Sequence, residues 1–211
     1  MKQTGGLKRS TTDTINSYIT DMLALEEHIE KAVSGQIQAL GDHPQVGADL
    51  RTIRHWVHIH IANLEQLTRT RGAATASGAL KRAGSSVLGR AAGAIDLLRQ
   101  EGQPRNLRDD YTAFSLAAIG YLMLHTTALA LGEKEVADLA AQHLQNYARG
   151  LIALHYVIPA VVVRSLQKEG FAAREDVLTD VFRNVEKAWA FGKAVKTHTA
   201  RQPPLKVGRA T

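Results

Sequence analysis

Four side chains spread along the sequence have the types needed to hold a metal ion: Glu26, His60, His125 and His143. Each falls on or beside the apolar side of a different amphipathic stretch, so folding could bring one carboxylate and three imidazoles together. That donor set suits a single zinc, iron or manganese ion. The competing reading is structural. A buried Glu26 needs a hydrogen-bonding partner, because an isolated charge in an apolar interior is costly, and one of the histidines would serve. Helical spacing places each residue on a face and leaves its depth along the helix open, so both readings stand.

Other reactive types sit where a simpler role accounts for them. His55 and His58 are three residues apart but lie off the main apolar stripe of their helix, as a solvated pair would. In Arg108-Asp109-Asp110-Tyr111 the two acids open a helix, where negative charge complements the positive end of the helix dipole. There is no glycine-rich phosphate loop, no zinc-protease motif and no nucleophile elbow. No catalytic residue and no organic cofactor is therefore expected. Cysteine is absent, which excludes disulfides and thiolate metal sites and is compatible with a cytoplasmic location.

The elements that must position these residues read as helices. Hydrophobic residues make up 45% of the 211, aromatics only 5%, and Ala and Leu dominate, a composition that favours helices over strands. A first helix is predicted over Thr12 to Val33, with Ile15, Ile19, Met22, Glu26, Ile29 and Val33 on one face and a stop at Ser34-Gly35. A second runs from Val46 to Arg69 with Ile53, Val57, His60, Leu64 and Leu67 inward. A third pattern spans Ser77 to Arg99, where Ser85, Gly89 and Gly93 would let another backbone approach, while Lys81, Arg82 and Arg90 leave a membrane-surface role open.

Gly102-Gln103-Pro104 is the clearest linker. Asn106 and Asp109 then resemble a capping box that opens a fourth helix to Gly132. A fifth helix follows to Lys168 with Pro159 inside it, and a last one over Arg174 to Phe191 is expected to bury Leu178, Val181, Val185 and Trp189. No apolar run is read as a membrane span, and no signal peptide is evident. The expected architecture is all-α: a four-helix bundle over residues 12–192, with a helical crossover and an additional C-terminal helix.

Charge is concentrated at the ends. Residues 1–11 carry Lys2, Lys8 and Arg9, and residues 193–211 carry Lys193, Lys196, Arg201, Lys206 and Arg209, with no acid in either segment. Without these eight bases the net charge of +6 becomes slightly negative. Both ends are read as basic tails able to attract nucleic acid or an anionic surface.

The segments Tyr18 to His28, His60 to Leu67 and Gly120 to Ala137 resemble the ferritin-like YciE/YciF-type proteins, over roughly residues 15–166. The resemblance implies a ferritin-like bundle, a bacterial stress-response setting and a two-iron carboxylate centre. Glu26 matches the family's first-helix ligand and His60 its second-helix histidine. Where the family has a glutamate three residues earlier, this chain has Val57, and Phe114 or Ala117 occupies the ligand region of the fourth helix. No acid occurs from Tyr111 to Gly132 or from Leu139 to Lys168. One carboxylate stands where about four would be needed, so a degenerate site is expected. The resulting expectation is a non-catalytic bundle acting by self-association, as a homodimer, or by partner binding. A metal-dependent oxidoreductase and a nucleic-acid-associated protein are the alternatives.

Overall fold

The computed structural model describes residues 10–39, 44–72 and 102–199. They form five helices: α1 (Thr11–Ala39), α2 (Pro44–Thr70), α3 (Gln103–Ala130), α4 (Lys134–Lys168) and α5 (Val177–Thr199). No strand occurs among the described residues, and the protein is all-α. The helix expected over Ser77–Arg99 lies outside the described residues, as do residues 1–9 and 200–211 of the basic tails.

Ser10 starts α1: its hydroxyl accepts from the Asp13 amide at 3.0 Å, satisfying one of the free N–H groups of the first turn. The predicted inward stripe is buried in full, with Ile15, Ile19, Met22, Glu26, Ile29 and Val33 each at most 3% exposed. The helix does not stop at Ser34-Gly35, however. Ser34 bonds back to Glu30 at 2.7 Å, and Gln36 donates to Asp110 on α3 at 2.9 Å. These contacts offset the roughly 1 kcal/mol that a mid-helix glycine costs. The stripe of α2, from Ile53 to Leu67, is buried as its spacing predicts.

Pairwise contacts define the topology of the first four helices. Arg71 meets Asn16 and Arg54 meets Glu30, so α1 and α2 are antiparallel. Gln36 meets Asp110 and Glu26 meets Tyr121, so α1 and α3 are antiparallel as well. His125 bonds the Ala137 carbonyl while Tyr111 packs on His155, which makes α3 and α4 a hairpin. Helices α2 and α3 consequently run in the same direction.

The hairpin turn is closed by Gly132, at φ +78°, with Glu133 N–H bonded to Ala128 O and Gly132 N–H to Leu129 O. Only glycine takes that left-handed conformation without strain. Arg71 then clasps Glu133 through two bonds of 2.9 and 3.1 Å, tying the end of α2 to this turn. At the other end of the fold, α3 starts at Gln103 rather than at an Asn106 capping box, with Pro104 in the first turn. Asp109 and Asp110 are therefore not exposed caps. Both are buried.

Helices α1 and α3 pack closely at Gly120, where a Cβ would stand 2.5 Å from Met22 Sδ and displace the thioether end of that side chain. The approach brings Phe114, Tyr121, Leu124 and Ala128 fully into the core. Helices α3 and α4 are both long and apolar enough to cross a membrane by length and composition. In α3 the inward half of that apolar character serves the core.

The chain divides into two compact units, residues 1–158 and 159–211. The boundary falls inside α4 at Pro159, which has no N–H for the helix ladder. In the second unit α4 ends at Lys168, Gly170 follows in the turn at φ +89°, and α5 begins after an Arg174–Asp176 ion pair. Leu178, Val181 and Val185 are half-buried. Trp189 is 59% exposed, against expectation, because the half-buried face ends one turn earlier at Val185. The helix also runs to Thr199, beyond the start expected for the C-terminal tail.

Candidate metal centre

Glu26 sits midway along α1 and has no solvent exposure. Its carboxylate accepts three hydrogen bonds. Tyr121 of α3 donates to Oε1 at 2.5 Å, Tyr147 of α4 donates to Oε2 at 2.5 Å, and His60 Nδ1 of α2 lies 3.0 Å from Oε1. All four helices thus contribute to one buried carboxylate. Phenol-to-carboxylate bonds of this length are charge-assisted and stronger than neutral ones. Burial comes first, and the Glu26 charge second, among the causes that push both phenols well above their ordinary pKa. Both are held as neutral donors.

The two inner histidines are arranged alike. Asn146 Nδ2 donates to His60 Nε2 at 3.1 Å, and Asn63 Nδ2 donates to His143 Nε2 at 3.3 Å. In each ring the far nitrogen is held by an amide, which leaves the proton on Nδ1. For His60 that N–H is donated to Glu26. For His143 the Nδ1 is buried with no hydrogen-bond partner. The rings stack with centroids 3.8 Å apart and 24° between planes. Desolvation, followed by the proximity of His60, lowers the pKa of His143 to about 2, so this ring is neutral.

Of the four residues singled out by spacing, Glu26, His60 and His143 come together. One candidate ligand atom from each lies within 4.8 Å of the others. His125 does not belong to that group, and its Nδ1 is bonded to the Ala137 carbonyl at 2.8 Å. His58 pairs with Glu30 at 3.0 Å on the surface, away from the centre. Tyr121 and Tyr147 were not among the spacing candidates, although the pattern carries a signal for each. Leu107, Phe114, Tyr121 and Ala128 repeat every seven residues, and Tyr147 follows His143 by one helical turn.

A pair of iron ions does not fit these residues. Two hard cations side by side require several anionic oxygens, and Glu26 is the only carboxylate among the described residues within this cluster. Val57 and Phe114 fill the neighbouring positions with apolar bulk. What the arrangement does without an ion is satisfy a buried charge with three donors and fix the depth at which four helices meet.

No protein-family model and no curated protein matches the chain. Among solved structures it is similar to the protein XCC3681 from Xanthomonas campestris pv. campestris, with a TM-score of 0.63 and 15% sequence identity. The match covers 77% of this chain and the whole of that one. At this level of identity the likeness shows the helical fold alone.

Proposed function

We propose that this protein is a non-catalytic, ferritin-like bundle that acts through a surface, by pairing with a second copy of itself. The observation that carries the reading is the outward face of α3. Leu116, Ile119, Leu122, Met123 and Leu129 are exposed along one arc of the helix, with Ile119 at 55% and Leu129 at 57%. No Asp, Glu, Lys or Arg interrupts the chain from Tyr111 to Gly132. Single exposed apolar residues are ordinary, but a continuous uncharged stripe marks an interaction surface. A self-complementary pairing about a two-fold axis places such a stripe against itself with no charge to desolvate. The ferritin-like assignment is supported by the parallel course of α2 and α3, and the stress-response setting rests on the resemblance alone.

Light scattering on the full-length chain across a concentration series tests the reading. The wild type is expected to be dimeric, and the double variant Ile119→Glu/Met123→Glu monomeric with unchanged helicity. A wild type that stays monomeric overturns the proposal. Flotation with neutral phospholipid vesicles forms the second arm: lipid binding lost in the same variant would assign the face to a membrane instead.

A further inference from the structure

The buried centre carries more donor chemistry than a structural carboxylate needs. Glu26 requires hydrogen bonds, and three reach it. His143 contributes nothing to that satisfaction. It is 1% exposed, and its Nδ1 has no partner. A buried N–H left unpaired costs about 1–3 kcal/mol, so an imidazole fixed in this state by Asn63 needs a reason. His60 is held in the same way by Asn146, with Nε2 outward and Nδ1 toward Glu26. An asparagine behind each ring is the support a metal-ligating histidine requires. Once Nδ1 binds an ion, the ring proton moves to Nε2, and the amide turns over to accept it through its oxygen.

We propose that Glu26, His60, His143, Tyr121 and Tyr147 hold a single ferric ion. Five donors then come from four helices: one carboxylate, two imidazole Nδ1 atoms and two phenolate oxygens. Neutrality selects the charge of the ion. Residues this deeply buried penalise any uncompensated charge. One carboxylate and two phenolates supply three negative charges, which balance a trivalent ion. A divalent ion is balanced by Glu26 and one phenolate, leaving the second tyrosine without a function in the set. The two phenols are equivalent, each 2.5 Å from a different oxygen of Glu26, which favours the trivalent case. Binding releases the two phenol protons to water, and no electron is transferred.

Three of the donors already lie at ligand-like separations from the Glu26 carboxylate. Bonds of about 2.1 Å to adjacent ligands of an octahedron place those ligands about 3 Å apart. The Glu26–Tyr121, Glu26–Tyr147 and Glu26–His60 separations are 2.5, 2.5 and 3.0 Å. His143 must turn its ring off His60 to bring Nδ1 in. This site differs from a carboxylate-bridged pair of irons in nuclearity and in ligands.

The full-length chain, purified without an affinity tag and freed of metal by a chelator, is loaded with ferric nitrilotriacetate in two ways. One is incubation of the folded protein, and the other is refolding from urea in its presence, so that slow entry does not mask binding. Zinc and manganese salts are run in parallel. The expected result is one retained iron per chain and a broad visible absorption from phenolate-to-iron charge transfer. Tyr121→Phe and Tyr147→Phe, which keep the ring, should each weaken that band, and the double variant should abolish it. His143→Gln should release the iron while far-ultraviolet circular dichroism stays unchanged. If that variant does not fold, the phenylalanine variants carry the test alone. Iron that is not retained by either route overturns the proposal. So does retained iron without the band, a band that survives in the double variant, or retention of zinc or manganese in preference to iron.

Discussion

His143 lies ring on ring against His60, with centroids 3.8 Å apart, and reaches solvent with 1% of its surface. A positive charge on His143 would be desolvated, and the neighbouring His60 disfavours it further. The folded-state pKa of about 2, against an ordinary 6.5, means that the unfolded chain binds a proton here which the folded chain refuses. Stability supplied by this group is thus complete above pH 6.5 and declines as pH falls below it, by up to about 1.4 kcal/mol per pH unit. Urea unfolding of the wild type and of His143→Gln between pH 5 and 8 checks this, the variant being expected to show the flatter profile.

Asp110 titrates with the opposite sign. Burial raises its pKa well above the ordinary value, and the bond from Gln36 counters this only in part. The folded chain then holds a proton that the unfolded chain gives up, so stability declines as pH rises from about 4 through the folded value. Asp110→Asn keeps a hydrogen-bonding partner for Gln36 and removes the ionisation. It is expected to be more stable than the wild type at pH 7, with the gain shrinking toward pH 4. Equal pH profiles for the two proteins would refute the assignment.

Removing one phenol hydroxyl leaves a Glu26 oxygen short of a donor in a dry interior. Tyr121→Phe and Tyr147→Phe should each cost about 1.5–3 kcal/mol, the range for hydrogen bonds to charged groups. Glu26→Ala, which strands two phenols and an imidazole and opens a cavity, should cost more than either. Denaturant midpoints at pH 7 measure all three. The double tyrosine variant is expected to depart from additivity, since both hydroxyls serve one carboxylate.

Gly150 stands inside α4 with room for a methyl group. A Cβ there would rest 3.5 Å from two atoms of Ile53 and 3.7 Å from Phe114, which is ordinary contact. Gly150→Ala should raise stability by about 0.5–1 kcal/mol, through backbone entropy and helix propensity. A thermal midpoint at or below that of the wild type would contradict it. Gly120 differs: its Cβ would collide with Met22, so Gly120→Leu should be destabilising by about 1–3 kcal/mol.

The buried stripes of α1 and α2 were legible because three- and four-residue spacing reports directly on which face turns inward. Glu26, His60 and His143 were placed on buried faces by the same argument. Depth along a helix leaves no trace in that pattern, which is why His125 appeared equivalent to His143 until the Ala137 carbonyl was seen to hold it. Local rules failed where distant contacts overrode them. Gln36 carries α1 past a glycine that would stop a free helix, and Asp110, a plausible capping residue, is drawn under by the same Gln36. Aromatic residues on an apolar face read as core, so the hydroxyls of Tyr121 and Tyr147 gave no sign of the acid they would meet.

The division of the centre between two hairpins has a consequence for how the chain reaches its fold. Glu26 and His60 belong to α1–α2, while Tyr121, His143 and Tyr147 belong to α3–α4. Either hairpin alone would carry a half-complemented polar set on the surface it must dry out, and would gain little by closing early. Docking and desolvation then become a single event, which couples the folding of one pair of helices to that of the other.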